Sequence, residues 1–189
     1  MSYYTEAELK ELGFKFIGDN VKISRLASIY NPESIYIDHN SRVDDFCILS
    51  GNVTIGKYVH ITPMCLVAGG EPGITLADFS TLAYGVKVFS QSDDYSGETM
   101  VNSLLPKHLK NETFARVIIH KHCIVGTNSV IMPGVEMAEG CSIGAMTLVN
   151  KSTKEWGIYV GAPARRVKER KKNILELEQQ FLRNRNDTI

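Results

Sequence analysis

Aliphatic residues recur at every sixth position over most of the chain. The longest late series is Ile119, Val125, Ile131, Met137, Ile143 and Val149. Earlier series with the same step are Ile37 to Val67, Leu76 to Val88 and Ile17 to Ile29. A six-residue period fits neither the 3.6-residue period of an α-helix nor the two-residue alternation of a long strand.

The residues between the aliphatic positions also follow a pattern. The fourth residue after each one is usually small or β-branched, and the residue directly after it is often Gly, Ala or Asp. We interpret each unit as a short strand with its aliphatic residue pointing inward, followed by a tight corner. Three units close a triangular coil of about eighteen residues, and the coils stack as in other solenoids. A β-sandwich is the alternative, but its strands would not keep one phase over so many units.

This pattern resembles that of the hexapeptide-repeat acyltransferases over roughly residues 17 to 166. The most specific stretches are 125–135 (VGTNSVIMPGV), Ile143-Gly144-Ala145 and 160–165 (VGAPAR). The resemblance implies an all-β solenoid, namely a left-handed parallel β-helix, which is an exception to the usual right-handed crossover. It also implies acetyl-CoA or another acyl-CoA as co-substrate, and a homotrimer with active sites between subunits.

We expect a single domain over residues 1–189. An N-terminal capping helix falls within 1–16, because Thr5 and Glu8 form a capping box and Gly13 ends the pattern. The β-helix occupies 17–166, and a C-terminal helix occupies 167–189, with Ile174, Leu177 and Phe181 on one stripe.

The repeat breaks at two places. Between Val67 and Leu76 the step is nine, and residues 69–73 (GGEPG) are typical of a turn. Between Val88 and Ile119 the step is 31, which predicts an inserted loop at about 89–118. Loops of this length inside a regular scaffold are usually functional. The alternative is a surface excursion without a function.

The cysteines and histidines do not predict a metal site. All four cysteines fall on the small position of the repeat, where they replace Ser or Val as buried residues. His120 and His122 lie on one side of a strand, but the wider histidine spacing of zinc enzymes with this fold is missing. We interpret the histidines as surface or interface residues, and retain His60 and His120 as candidates for substrate contact.

A basic cluster near the C-terminal end suits the phosphates of coenzyme A. The family resemblance implies that the pantetheine arm passes near Gly126, Ala145 and Pro163, so that Lys151, Arg165 and Arg166 contact the phosphates. Residues 168–172 are interpreted as the solvated face of the last helix.

The inserted loop departs from one branch of the family. Sugar O-acetyltransferases carry a catalytic histidine here, because a hydroxyl needs a base, whereas residues 90–98 (SQSDDYSGE) contain none. The loop looks like that of N-acyltransferases acting on 4-amino-4,6-dideoxy nucleotide sugars. We hypothesise that Asp93, Asp94 and Glu98 position the amino group, and that Ser92 or Tyr95 holds the sugar or phosphate. The alternative role of these carboxylates is loop solvation and Asx-turns.

The leading functional hypothesis is therefore acyl-CoA-dependent N-acylation of the 4-amino group of a dTDP-linked 4-amino-4,6-dideoxy sugar in surface polysaccharide biosynthesis. The alternatives are a sugar or small-molecule O-acetyltransferase and a non-catalytic β-helix subunit. A formal net charge of zero argues against nucleic-acid or anionic-membrane partners. No apolar stretch approaches membrane-helix length, and no signal-peptide pattern is present at the start, so we expect a cytoplasmic protein.

Overall fold

The computed structural model describes residues 2–186, which form a triangular prism of stacked coils between two helices. Helix α1 spans Glu6–Glu11 and begins with the expected capping box, in which Thr5 and Glu8 satisfy each other's backbone N–H groups. Leu9 of α1 is buried against the first coil. None of the helices in this part of the chain is long and apolar enough to span a membrane.

The first wall of the prism consists of parallel strands from successive coils. Its members are β1 (Phe16–Ile17), β4 (Ile35–Ile37), the second halves of β6 (Ile48–Ile55) and β8 (Leu66–Leu76), β13 (Val117–Ile119) and β16 (Glu136–Met137). The strand pairing aligns Ile17, Ile37, Ile55, Leu76, Ile119 and Met137 in one column.

The second wall contains β2 (Lys22–Ile23), β5 (Arg42–Val43), β7 (His60–Ile61), β9 (Thr81–Leu82), β14 (Ile124–Val125), β17 (Ser142–Ile143) and β19 (Gly157–Val160). The third contains β3 (Ser28–Tyr30), the first halves of β6 and β8, β10 (Lys87–Phe89), β15 (Val130–Ile131) and β18 (Leu148–Val149). Each wall thus contributes one aliphatic column, and nearly all members of the three columns are fully buried. The six-residue period predicted this core correctly.

The first two corners repeat a backbone conformation that the sequence pattern did not reveal. A residue with positive φ lies three positions before the inward residue that follows these corners, except at Leu26 before Ile29. At the first corner, between the first and second walls, these residues include Tyr58, Phe79 and His122. At the second corner, between the second and third walls, they include Phe46 and Met64. Large side chains rarely adopt this region, so local propensity does not predict them there.

The first break in the repeat is not a turn. Residues 69–73 lie inside the continuous strand β8, which pairs with β6 around the third corner, between the third and first walls. Irregular register between the two strands absorbs the extra residues. Long-range pairing therefore overrides the turn preference of Gly and Pro.

The C-terminal helix begins later than the expected position 167. Residues Arg165–Glu169 form strand β20, which pairs antiparallel with β19, and helix α2 spans Ile174–Asn186. Pairing with β19 stabilises these residues as a strand by more than their helix propensity favours a helix. Residues 187–189 of the expected helix lie outside the described residues.

Candidate active site

The inserted loop leaves the third corner after β10 and returns at β13. Its base is a short antiparallel ladder of β11 (Gln91–Ser92) and β12 (Thr113–Phe114). The buried Ser90 hydroxyl donates to the carbonyl oxygens of Gly69 at 2.5 Å and Ala68 at 3.2 Å. These contacts anchor the root of the loop on β8, so its first residues are held over the third wall.

Two cavities adjoin the root of the loop. The wall cavity, of about 270 Å³, is lined by Ser50, Ala68, Gly70, Phe89, Gln91, Ser92 and Asp93. The loop cavity, of about 420 Å³, is lined by Asp93, Asp94, Tyr95, Gly97, Thr99 and Val101. Ser50 of β6 and Ala68 and Gly70 of β8 have short side chains or none, so they leave the wall cavity open on the side of these strands. Asp93 lines both cavities, so this residue lies where the two cavities meet.

Asp94 is oriented by its own loop. One carboxylate oxygen accepts the backbone N–H of Ser96 at 2.8 Å, which is an Asx-type contact. The other accepts the hydroxyls of Ser96 at 2.9 Å and Thr99 at 2.7 Å. The Ser96 backbone N–H, followed by the Thr99 and Ser96 hydroxyls, lowers the pKa of Asp94 below its ordinary value. The side chain is therefore an ionised carboxylate with a fixed direction.

The other loop residues expected to act divide into two groups. Ser92 is half-buried in the wall cavity, and its hydroxyl donates to the Asp93 carbonyl at 3.3 Å. Tyr95 is 90% exposed at the loop cavity. Glu98 is exposed and lines neither cavity; its backbone N–H donates to the Ser96 hydroxyl. The structure thus gathers Ser92, Asp93, Asp94 and Tyr95 around the two cavities and leaves the Glu98 side chain outside them.

An ion pair at the loop base was not found from the sequence. Lys110 Nζ lies 3.0 Å from Glu112 Oε2, and the Gln91 side-chain amide donates to Glu112 Oε1 at 2.8 Å. The Lys110 ammonium, with a further contribution from Gln91, lowers the pKa of Glu112. Gln91 and Glu112 are 21 residues apart, so no local sequence signal predicts their contact.

The two histidines retained as substrate candidates lie away from the loop within one chain. His60 on the second wall contacts the buried Asp44 carboxylate through Nε2 at 2.8 Å, and Arg42 donates to the same group. His120, after β13 at the first corner, contacts Glu136 through Nε2 at 2.7 Å. Neither lines the cavities beside Asp93.

A larger apolar cavity, of about 500 Å³, lies between α2 and the second wall. Its lining includes Tyr58, Phe79, His122, Ile174 and Phe181. Tyr58, Phe79 and His122 stack along the first corner, and Phe181 packs edge-on against Tyr58 and Phe79. This cavity is on the opposite side of the coil from the loop root and contains none of the loop carboxylates. The candidate site at the loop is therefore separate from this larger cavity.

The residues expected to contact coenzyme A lie in three places. Gly126 and Ala145 flank the second corner, and a Cβ added to Gly126 would lie 2.6 Å from the Ala145 backbone nitrogen. Lys151 is exposed at the third corner of the last coil. Pro163, Arg165 and Arg166 are exposed in the turn and strand of the C-terminal hairpin, where the Ala162–Pro163 peptide bond is cis and Arg166 pairs with Glu169.

One chain does not bring the loop carboxylates together with Gly126 and Ala145. The loop carboxylates project from the third corner, whereas Gly126 and Ala145 lie at the second. A site that used both sets would have to combine corners of two neighbouring chains.

The four cysteines are buried and free, at the small positions predicted for them. Their thiols approach carbonyl oxygens of the next coil, as Cys47 Sγ approaches the Thr62 oxygen at 3.1 Å. Among residues 2–186, no group of three or more His, Cys, Asp or Glu side chains is placed to hold a metal ion.

Comparison with known proteins places this geometry in a family. The model for the bacterial transferase hexapeptide (six repeats) matches residues 116–151. The dTDP-4-amino-4,6-dideoxy-D-glucose acyltransferase of Escherichia coli is 39% identical over 184 residues, covering 96% of this chain and 95% of the relative.

Solved structures agree with this relationship. The N-acyltransferase AntD from Bacillus cereus, in complex with dTDP and 3-hydroxybutyryl-CoA, superimposes with a TM-score of 0.97 and 46% identity, covering 98% of each chain. A serine-to-alanine variant of AntD with dTDP-4-amino-4,6-dideoxyglucose and coenzyme A gives 0.96 and 47%, covering 97% of this chain and 98% of AntD. The chain is an acyltransferase that belongs to the hexapeptide-repeat family, among its nucleotide-sugar N-acyltransferases.

Proposed function

We propose that the protein transfers an acyl group from acyl-CoA to the 4-amino group of a dTDP-linked 4-amino-4,6-dideoxy sugar. The relatives act on or bind these two substrates by name. The observation in this chain that carries the proposal is the ionised, oriented carboxylate of Asp94, next to Asp93 at the two cavities. Such carboxylates suit an amine, which they attract electrostatically and orient through its N–H groups.

The reaction is a direct attack on the thioester. The amine lone pair forms the new C–N bond, the C–S bond breaks, and the proton lost by nitrogen ends on the released coenzyme A thiol. Because the pKa of Asp94 is lowered, this carboxylate is a weak base and a good electrostatic partner. We assign it the role of stabilising the positive charge that develops on nitrogen during attack. Asp93 contacts the acceptor from the junction of the two cavities, and Glu98 contributes negative charge from outside them.

Ser92 and Tyr95 are assigned to the sugar or its phosphates. Ser92 offers a hydroxyl to the wall cavity, and Tyr95 offers an exposed phenol at the loop cavity. His60 and His120 remain candidates for substrate contact from a neighbouring chain, because both side chains are partly exposed on other faces of the prism.

The coenzyme A site is assigned to the second corner and the C-terminal hairpin. Gly126, Ala145 and Pro163 provide a surface without long side chains for the pantetheine arm, and Lys151, Arg165 and Arg166 provide cations for the phosphates. Acetyl-CoA is the proposed donor, with a longer acyl-CoA as the variant to test. No residue is assigned to a metal.

We propose that three chains assemble around a threefold axis, with each active site between two of them. The loop carboxylates lie on a different corner from Gly126 and Ala145, which supports this arrangement. So does the stripe of exposed apolar side chains along the second corner, which we define as Leu26, Phe46, Met64 and Met146. We place the enzyme in the cytoplasm, in the synthesis of a surface polysaccharide, because nucleotide sugars and coenzyme A are cytoplasmic metabolites.

The test compares two acceptors under identical conditions. Purified protein is mixed with acetyl-CoA or 3-hydroxybutyryl-CoA and either dTDP-4-amino-4,6-dideoxyglucose or its 4-hydroxy counterpart, and free thiol is followed. Release with the amine alone supports N-acylation. Release with the hydroxyl sugar would reassign the enzyme to O-acylation, and release with neither would reject both acceptors.

A further inference from the structure

The contact with Glu112 determines the direction in which the nitrogen and oxygen of the Gln91 side-chain amide point. Its neighbour Glu112 is a carboxylate that accepts hydrogen bonds and, when ionised, donates none. The nitrogen of the Gln91 amide must therefore face Glu112, as it does at 2.8 Å. The amide oxygen consequently points to the other side.

Glu112 is itself held in place. Lys110 Nζ lies 3.0 Å from its second oxygen, and the side chains of Lys110 and Glu112 are only 7% and 13% exposed. The hydrogen bond from Gln91 to Glu112 joins the departing segment of the loop to the returning one, beside the β11–β12 ladder. Lys110, Glu112 and Gln91 thus form a chain of contacts with one free end, the Gln91 oxygen.

This free oxygen faces the wall cavity. Gln91 and Gly70 both line the cavity, and a Cβ added to Gly70 would lie 3.8 Å from Gln91 Oε1. Since Gly70 has no side chain, nothing from that residue covers the oxygen. Gln91 therefore presents a hydrogen-bond acceptor to the cavity that Asp93 also lines.

We propose that Gln91 is a sugar-binding residue that recognises a hydroxyl or amino group of the acceptor, and that Glu112 and Lys110 are the residues that position it. The inference rests on the proposed function and refines which part of the substrate occupies the wall cavity. An amide oxygen next to a carboxylate favours a ligand that brings donors, such as a hexose with free hydroxyl and amino groups. Phosphate oxygens and a thioester carbonyl are acceptors, so this part of the cavity disfavours the pyrophosphate and coenzyme A.

The test measures binding and turnover of the Gln91→Met variant, which keeps the length of the side chain and removes the amide. Loss of one hydrogen bond predicts a rise of about tenfold in the KM for the dTDP-amino sugar, with the KM for acyl-CoA unchanged. Calorimetric titration should show the same loss of affinity for the dTDP-amino sugar and none for dTDP alone. The matched control is Gln180→Met, the same change on the exposed surface of α2.

The positioning role has its own readout. Glu112→Gln removes the partner of Lys110 and lets the Gln91 amide turn, so KM for the sugar should rise while kcat changes little. The swapped variant with Gln91→Glu and Glu112→Gln again places an acceptor at the cavity and a donor behind it, and should recover most of the sugar affinity. A contact that only supported the loop would lower kcat and the unfolding midpoint together with the sugar affinity, instead of raising the KM for the sugar alone.

The outcomes separate this inference from the proposed function. Wild-type protein that turns over the amino sugar, with Gln91→Met equal to it in sugar KM, would overturn the inference and leave the function standing. Weaker binding of dTDP alone by Gln91→Met would also overturn it, by moving the contact to the nucleotide. Wild-type protein that neither binds nor acylates the amino sugar would reject the proposed function itself.

Discussion

Glu178 of helix α2 accepts a hydrogen bond from Nε2 of His122, 2.9 Å away, and both side chains are almost buried. Lys121 contacts the other oxygen of the same carboxylate. His122 belongs to the stacked first corner, so this contact fastens the C-terminal helix to the coil beside Phe181. The largely buried carboxylate of Glu178 therefore docks the helix within a contact that is otherwise apolar.

Replacing Glu178 by Gln should loosen α2 without unfolding the β-helix. Loss of the charged hydrogen bonds should cost about 1–3 kcal/mol of local stability, because two donors lose a charged partner. Hydrogen exchange of the α2 backbone amides should therefore accelerate about tenfold or more, while exchange in the coils stays unchanged. Glu176→Gln, on the exposed side of the same helix, is the control and should have no effect.

The same contact predicts a pH dependence. Burial raises the pKa of Glu178, but the hydrogen bonds from Lys121 and His122 lower it more, so the net pKa lies below its ordinary value of 4.5. The stabilisation is fully present above that ordinary value and is lost as the pH falls through the lower pKa of the folded state. The exchange ratio between Glu178→Gln and wild type should approach one in that acidic range. A ratio that is independent of pH would show that the carboxylate charge does not fasten the helix.

Replacing Asp94 by Asn should lower turnover of the amino sugar by about 10²-fold or more, because the charge that orients the amine is removed. The Asn oxygen can still accept the Ser96 backbone N–H, and its NH2 group can donate to the Ser96 and Thr99 hydroxyl oxygens, so the loop should keep its conformation. The lowered pKa of Asp94 also predicts that this group causes no loss of activity between pH 5 and 8. The measurement is thiol release as a function of pH.

Two further variants, a control and a test of the second loop carboxylate, make that result interpretable. Asp19→Asn changes an exposed carboxylate on the first coil and should leave turnover unchanged. Asp93→Asn should reduce turnover through a higher KM for the sugar, since Asp93 lines the wall cavity that Gln91 also faces. Full activity in both Asp93→Asn and Asp94→Asn would remove the loop carboxylates from the mechanism.

The sequence predicted the core more fully than the site, for a physical reason. Ile61 and Val67 are placed by a six-residue period that depends only on which residues avoid water. The strand Arg165–Glu169 and the contact between Gln91 and Glu112 depend on pairing between distant segments, which leaves no periodic signal. The loop carboxylates were proposed from the sequence because of their residue type, whereas the hydrogen bonds that orient Asp94 and the position of Asp93 between two cavities depend on how the loop folds.

The apolar stripe at the second corner predicts the assembly. Met64 is 64% exposed, and replacing it by Glu should place a charge in the proposed contact between chains. Light scattering coupled to gel filtration should show wild type at three times the chain mass of 21.1 kDa and Met64→Glu at a single chain mass. Met64→Leu keeps the apolar surface and should remain a trimer. A wild-type protein that elutes as a single chain would reject the assembly and, with it, an active site between subunits.

Replacing Gly126 by Ala should affect both the coil and the cofactor. The added Cβ would lie 2.6 Å from the Ala145 backbone nitrogen, so the last coils must move apart at that corner. Overpacking of this kind costs about 1–3 kcal/mol, which should lower the midpoint of thermal unfolding. If the pantetheine arm passes over the surface beside Gly126 and Ala145, the same change should weaken acyl-CoA binding and leave the KM for the sugar nearly unchanged. A lower unfolding midpoint with unaltered acyl-CoA affinity would show that Gly126 serves the coil alone, and the search for the cofactor surface would move to the hairpin of Pro163 and Arg165.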